Sequence, residues 1–186
     1  MGADQSLPGR LAQEGKAPGF AIWLTGLPAS GKTTLARALQ EQLARQSIDT
    51  VILDSDELRR ILTPQPTYRA DERDWFYAVL AGLAGWLTGS GINVLIAATA
   101  NRRTYRQAAR AAIKRFAEIY VTCALETCQQ RDRKGIYAAA NAGQADHVPG
   151  LGSAYEPPLQ PDRQRTACPG RGGLTRAAAT GRLVAR

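Results

Sequence analysis

Short apolar runs alternate with helical stretches along most of this 186-residue chain. FAIWLTG (20–26) is apolar and ends in glycine, as a buried strand does. In TTLARALQEQLARQ (33–46), Leu35, Leu39 and Leu43 recur at every fourth position, which predicts a helix with one apolar stripe. TVILDSD (50–56) reads as a second strand ending in acids, and DERDWFYAVLAGLAGWL (71–87) as a long, largely buried helix. In that helix Trp75, Phe76, Tyr77, Trp86 and Leu87 are expected to pack inward. GINVLIAAT (91–99) predicts a third strand, RRTYRQAARAAIKRF (102–116) a basic amphipathic helix, EIYVTCAL (118–125) a fourth strand and ETCQQRDR (126–133) a short helix. This alternation implies βαβ units and a parallel sheet covered on both faces.

The ends and one internal stretch break the pattern. Residues 1–18 have no sustained period and read as a flexible N-terminal arm. Residues 134–161 are rich in Gly, Pro and Ala without regular spacing, and such a segment in a compact domain suggests a lid, here over about 134–160. The domain itself is expected over 19–162. Residues 163–186 switch to Arg, Gly and Ala.

Charge changes the picture less than its total suggests. The net charge is +8, but removing the six arginines of residues 163–186, which hold no acid, leaves +2 for the rest. A nucleic-acid partner therefore has little support from overall basicity. Apolar residues make up 44% of the chain and charged ones 22%, which excludes a disordered or collagen-like chain. No apolar run approaches the roughly 20 residues that span a bilayer, so a membrane partner is not expected. The first residues lack the apolar core of a secretory signal. Three cysteines without a C-x-x-C pair suggest a reducing, cytoplasmic setting. Cys123 and Cys128 are expected to pack as small apolar groups, and His147 to have a structural or solvent role.

The chemistry concentrates in GLPASGKT: Gly26, Leu27, Pro28, Ala29, Ser30, Gly31, Lys32 and Thr33, followed by Thr34. The run fits G-x-x-x-x-G-K-[ST] at every fixed position, after a strand and before a helix. The glycines let the backbone approach phosphate oxygens, consecutive N–H groups cradle them, Lys32 adds a point charge and Thr33 offers a hydroxyl to Mg²⁺. A chance Gly-rich turn is the bland alternative. Asp54 and Asp56 lie past the end of the second strand, where open α/β sheets bind ligands. One can hold the metal and the other can take a proton from an attacking hydroxyl. The alternative is that Asp56 only caps the next helix.

With these residues in view, the chain resembles the adenylylsulfate (APS) kinase family from about Phe20 to Asp162. GLPASGKTTLA is similar to the family's phosphate loop, LDSDELR to its Asp-Gly-Asp segment, and FAEIYVTCALETCQQRDRKGIYAAANAG to its strand, Arg-Asp pair and lid start. PGLGSAYEPPLQPD is similar to the far end of its lid. The resemblance implies a P-loop NTPase-type three-layer α/β/α sandwich with a mainly parallel sheet, a homodimer, and transfer of the ATP γ-phosphoryl group to the 3′-hydroxyl of APS. By the same resemblance Asp56 is the base toward that hydroxyl, Thr33 and Asp54 hold Mg²⁺, and Arg131 lies beside ATP. Arg59, Arg73, Phe76 and Lys134 face the acceptor; without the resemblance, Arg59, Arg73 and Lys134 read as solvated surface charges.

The chain also departs from the family. Ala100-Asn101 stands where many members have Ser-Pro, which excludes a phosphoserine there. Phe76 replaces an Asn, Val79 an Arg, and Val148 the lid phenylalanine that stacks on the acceptor base. These three changes leave open another small hydroxyl acceptor, or a nucleotide-binding module without transfer activity. After Asp162 the sequence shows neither the family's apolar strand nor its final helix; if this tail is not native in type, the sheet is expected to lose an edge strand and stop at four. A slipped reading frame near residue 163 would produce such a tail, and a basic arm for acidic partners is the alternative.

Overall fold

The computed structural model describes residues 17–145 and 147–166. Five strands, β1 (Ala21–Thr25), β2 (Thr50–Asp54), β3 (Asn93–Ala97), β4 (Phe116–Thr122) and β5 (Arg163–Thr166), form one sheet in the order β2-β3-β1-β4-β5. Every pairing is parallel. The helices are α1 (Lys32–Ala44), α2 (Ser55–Leu62), α3 (Ala70–Gly89), α4 (Arg103–Ala112), α5 (Leu125–Gln130) and α6 (Ile136–Asn141).

Period-two geometry explains the layers. All five residues of β1 are buried because the strand lies centrally and is covered twice. Ala21 and Trp23 point to one face, where they meet Phe76, Tyr77 and Leu80 of α3 and Tyr105 and Ala109 of α4. Ile22 and Leu24 point to the other, against the Leu35, Leu39 and Leu43 stripe of α1. The result is the expected α/β/α sandwich. Among the described residues no helix is long and apolar enough to cross a membrane.

Three expectations are corrected. The sheet does not stop at four strands: RQRT (163–166) pairs in register with Ile119–Thr122 of β4. Backbone groups on an open sheet edge bind any extended segment, so β5 forms with side chains that are mostly exposed. The remainder of the expected tail, 167–186, and the N-terminal 1–16 lie outside the described residues. Trp75 and Trp86 do not pack inward; they are 48% and 71% exposed, while Phe76 and Tyr77 are buried. The stretch expected as an irregular lid contains α6, whose first amides at Ile136, Tyr137 and Ala138 donate to the carboxylate of Asp132.

The far end of that stretch is tied to the sheet. Arg106 is buried and donates to Glu118 Oε1 at 2.6 Å and to the Glu156 carbonyl at 2.7 Å. Glu156 accepts from the Arg103 amide at 2.9 Å, in the first turn of α4. Asp162 accepts from the Glu118 amide at 2.8 Å and from Arg110 at 2.7 Å. Glu156, near the far end of the stretch expected as a lid, and Asp162, just beyond it, thus fasten this end to α4 and β4.

Candidate active site

The phosphate loop joins β1 to α1 at the carboxyl end of the sheet. Gly31 caps α1 with a left-handed backbone, φ 95°, and Ala29 shares that region at φ 58°. At Gly26, φ 153°, a Cβ would lie 2.4 Å from the Val121 carbonyl, so only glycine fits. Lys32 and Thr33 occupy the first turn of α1, where amides have no partner within the helix and the dipole is positive. The Ser30 amide behaves differently from the expected cradle: it donates to the Leu27 carbonyl at 3.2 Å. The Ser30 hydroxyl is buried with no hydrogen-bond partner among the described residues. Thr34 is exposed.

Lys32 Nζ curls over the loop and donates to the Leu27 and Gly26 carbonyls at 2.7 and 3.1 Å. Burial lowers its pKa from 10.5 to about 8, against the opposing pull of Asp56 and Asp54. Thr33 Oγ1 donates to Asp54 Oδ2 at 2.6 Å. Asp54 is buried at the last position of β2, and its Oδ1 accepts from the Asp56 amide at 2.8 Å and the Glu57 amide at 3.4 Å. Asp54, not Asp56, is therefore the cap of α2, which removes the alternative role considered for Asp56. The Asp56 carboxylate instead makes an ion pair with Lys134, which stands just before α6.

A hydroxyl and a carboxylate oxygen converging at the phosphate loop are hard ligands suited to Mg²⁺. Thr33 and Asp54 fit that ion. Among the described residues no cluster of three or more His, Cys, Asp or Glu is placed to hold a metal ion.

A second group of side chains lies on α2 and α3. Arg59 is buried, its guanidinium 3.9 Å from the Phe76 ring centre and 5.0 Å from that of Tyr68. Arg59 Nη1 donates to Glu72 Oε1 at 2.7 Å. Arg73, also buried, donates from Nε to the Tyr68 carbonyl at 2.8 Å and from Nη2 to the His147 carbonyl. Burial lowers the pKa of Arg73. Arg59 and Arg73 are thus not solvated surface charges. His147 itself is exposed.

Phe76 is fully buried and meets Tyr77 edge-on at 5.4 Å. The Tyr77 hydroxyl accepts from the Ala100 amide at 3.0 Å, which fixes the loop after β3 where Ala100 has φ 43°. Val79 is half-buried. Val148 packs in a cluster with Cys128 and Tyr137, beside Leu27 and Ala29 of the loop. The Tyr137 hydroxyl donates to the Pro28 carbonyl at 3.1 Å, so α6 rests on the loop through its side chain. Cys128 is fully buried there, and burial pushes its thiol up to about 12. Arg131 caps the carboxyl end of α5 close enough for its charge to bear on that thiol.

The expected residues therefore fall into two groups, the loop with Thr33 and Asp54, and the α2–α3 group of Arg59, Arg73 and Phe76. Asp56 lies in the first turn of α2, one helix turn before Arg59, and its charge acts on Lys32 of the loop. Sequence reasoning missed Glu72 and Tyr137. The signal for Glu72 was its place beside Arg73 on the same helix turn; that for Tyr137 was an aromatic two residues after a glycine at a helix start.

The sequence pattern of the adenylylsulphate kinase family matches residues 18–164. An adenylyl-sulfate kinase of Rippkaea orientalis is 37% identical over 147 residues, covering 79% of this chain and 81% of its own. One from Halothermothrix orenii is 39% identical over 144 residues, covering 77% and 78%. The Mycobacterium tuberculosis APS kinase CysC, solved with AMPPNP and APS, superposes with a TM-score of 0.76 at 32% identity, over 83% of this chain and 91% of that one.

Proposed function

The chain belongs to the adenylylsulphate kinase family, and from that premise we propose that it transfers the γ-phosphoryl group of ATP to the 3′-hydroxyl of adenylyl sulfate. The observation that carries the reading is the placement of Asp56. It lies two residues beyond Asp54, the partner of Thr33, in the first turn of the helix that carries Arg59, and its charge acts on the loop lysine.

ATP phosphates lie along Gly26–Thr33, held by the amides that open α1 and by Lys32, with Arg131 on the nucleotide side. Thr33 and Asp54 hold Mg²⁺, which when bound neutralises phosphate charge. Asp56 accepts the proton of the acceptor hydroxyl as its oxygen bonds to the γ-phosphorus and the bond to the β-phosphate oxygen breaks. Arg59 and Arg73 bind the acceptor's phosphosulfate, Phe76 lines its site, and Lys134 neutralises Asp56 until the acceptor arrives. Residues 134–160 act as a lid that excludes water. No phosphoserine forms at position 100, since Ala100 has no hydroxyl, and direct in-line transfer needs none.

A second acceptor is kept open by one feature. The buried Phe76 offers no hydrogen bond, and Val148 packs under the loop instead of presenting a ring. A coupled ADP-release assay with MgATP decides between them. Turnover with adenylyl sulfate supports the proposal; turnover with another small alcohol and none with adenylyl sulfate reverses it. Nucleotide binding without turnover on any acceptor would mark a binding module. A homodimer and a cytoplasmic setting belong to the same proposal, and light scattering in solution checks the first.

A further inference from the structure

We propose that Glu72 is a positioning residue for the acceptor, fixing Arg59 through one carboxylate oxygen and the turn that seats Arg73 through the other. The inference rests on the reading of Arg59 and Arg73 as acceptor-binding groups.

Glu72 lies in the first turn of α3. Its Oε1 accepts from Arg59 Nη1 at 2.7 Å. Its Oε2 accepts from the Thr67 amide at 2.5 Å and the Thr67 hydroxyl at 2.8 Å. Thr67 precedes Tyr68, which is held in the left-handed region at φ 56°, a conformation that a bulky residue keeps only when its surroundings impose it. Tyr68 in turn gives its carbonyl to Arg73 Nε at 2.8 Å and its ring to Arg59. One carboxylate thus connects α2, the α2–α3 turn and α3.

The geometry goes beyond charge balance. A guanidinium binds an oxyanion through two donors in its own plane, so both the tilt and the rotation of that plane matter. The Phe76 ring, 3.9 Å away, sets the tilt. Glu72 sets the rotation by holding Nη1 alone. Among the described residues Nε and Nη2 of Arg59 make no hydrogen bond, which leaves an edge for a ligand. The Arg59 and Glu72 side chains are only 8% and 15% exposed, so water does little to loosen the pair. Burial would raise the Glu72 pKa, yet the Thr67 bonds and the Arg59 charge hold the carboxyl below its usual range.

The test is steady-state kinetics on the full chain with adenylyl sulfate and MgATP, for Glu72→Ala, Glu72→Gln, Arg59→Ala and the double variant. Loss of a hydrogen bond to a charged group predicts a rise of roughly tenfold in KM for adenylyl sulfate in Glu72→Ala, with KM for ATP unchanged. Glu72→Gln, which keeps the shape and one good acceptor, falls between. The double variant is less impaired than the two single effects combined, because part of what Glu72 does passes through Arg59; what it adds to Arg59→Ala is the share carried by the Thr67–Tyr68 turn to Arg73. An equal rise in both KM values, or an unchanged or lower KM for adenylyl sulfate in both Glu72 variants, overturns the inference. If Arg59→Ala raises that KM and neither Glu72 variant does, only the role of Glu72 fails. If Arg59→Ala changes nothing, the acceptor reading fails and takes the inference with it.

Discussion

The half of the site proposed to hold the nucleotide and the half proposed to hold the acceptor are built in different ways. The half proposed for the nucleotide draws its main-chain amides and Lys32, Thr33 and Asp54 from one eight-residue run and the strand end beside it, and only Arg131 comes from elsewhere, at the end of α5. The half proposed for the acceptor draws on side chains that meet across long stretches of sequence. Arg59 reaches Glu72 13 positions away, Arg73 reaches His147 74 away, and Asp56 reaches Lys134 78 away. The first half is fixed by local backbone geometry. The second depends on the helices and the lid being in place together, so it has more ways to change while the chemistry at phosphate stays intact.

Substitutions should separate the two halves. The largest effect is expected from Lys32→Ala, which removes the point charge on the phosphates and should cost on the order of 10³ in kcat/KM for ATP; calorimetric titration with an ATP analogue reads the binding loss. Asp56→Asn should lower kcat by roughly 10²-fold or more and leave ATP affinity unchanged, measured by the same titration beside single-turnover assays. If ATP affinity collapsed as well, the division between the halves would not hold.

Acidity offers a finer cut. The Lys32 pKa of about 8 lies below its ordinary 10.5, so the ammonium loses its proton as pH rises through 8. ATP affinity should be flat below that pH and fall by about tenfold per unit above it, while Lys32→Arg should abolish the fall. The same depression makes the charged lysine a cost to the folded state at lower pH. This group therefore adds stability as pH climbs from about 8 toward 10.5, readable as a rising denaturant midpoint.

Phe76→Leu keeps most of the buried volume and removes the ring under Arg59. A cation–π contact is worth about 0.5–2 kcal/mol, so KM for the acceptor should rise severalfold while KM for ATP does not move. The smallest effect is expected at Ser30→Ala. Its hydroxyl is buried and unpartnered, so its removal should leave melting temperature unchanged or slightly raised, with unaltered ATP affinity.

The same contrast explains what could be read from the chain before its structure. The strand, glycine loop and helix of 20–46 follow from local rules, because the loop's chemistry is its backbone. The alternating strands and helices likewise imply the parallel sheet. The acids of LDSDELR stand at the strand end that the sequence implies, but the helix cap is not legible there: Asp56 reads as the candidate, and only the turn geometry gives the cap to Asp54. Glu72 looked like any acid in a first helix turn until Arg59 arrived beside it from another helix. Trp75 and Trp86 looked like core because α3 is apolar all round, and which side faces the sheet is decided by its neighbours. β5 escaped notice because its side chains carry no strand signal; the edge of β4 supplied the hydrogen bonds.

Asp54 holds a helix with one oxygen and answers the loop threonine with the other. A change at this position cannot loosen one attachment and spare its counterpart. Shortening the side chain would fray α2, carrying Asp56 and Arg59 out of alignment with the phosphates. Exchanging it for asparagine could keep the helix started, yet would turn a charge into an amide facing Thr33. Folding and turnover are here a single trait, inherited or lost as one.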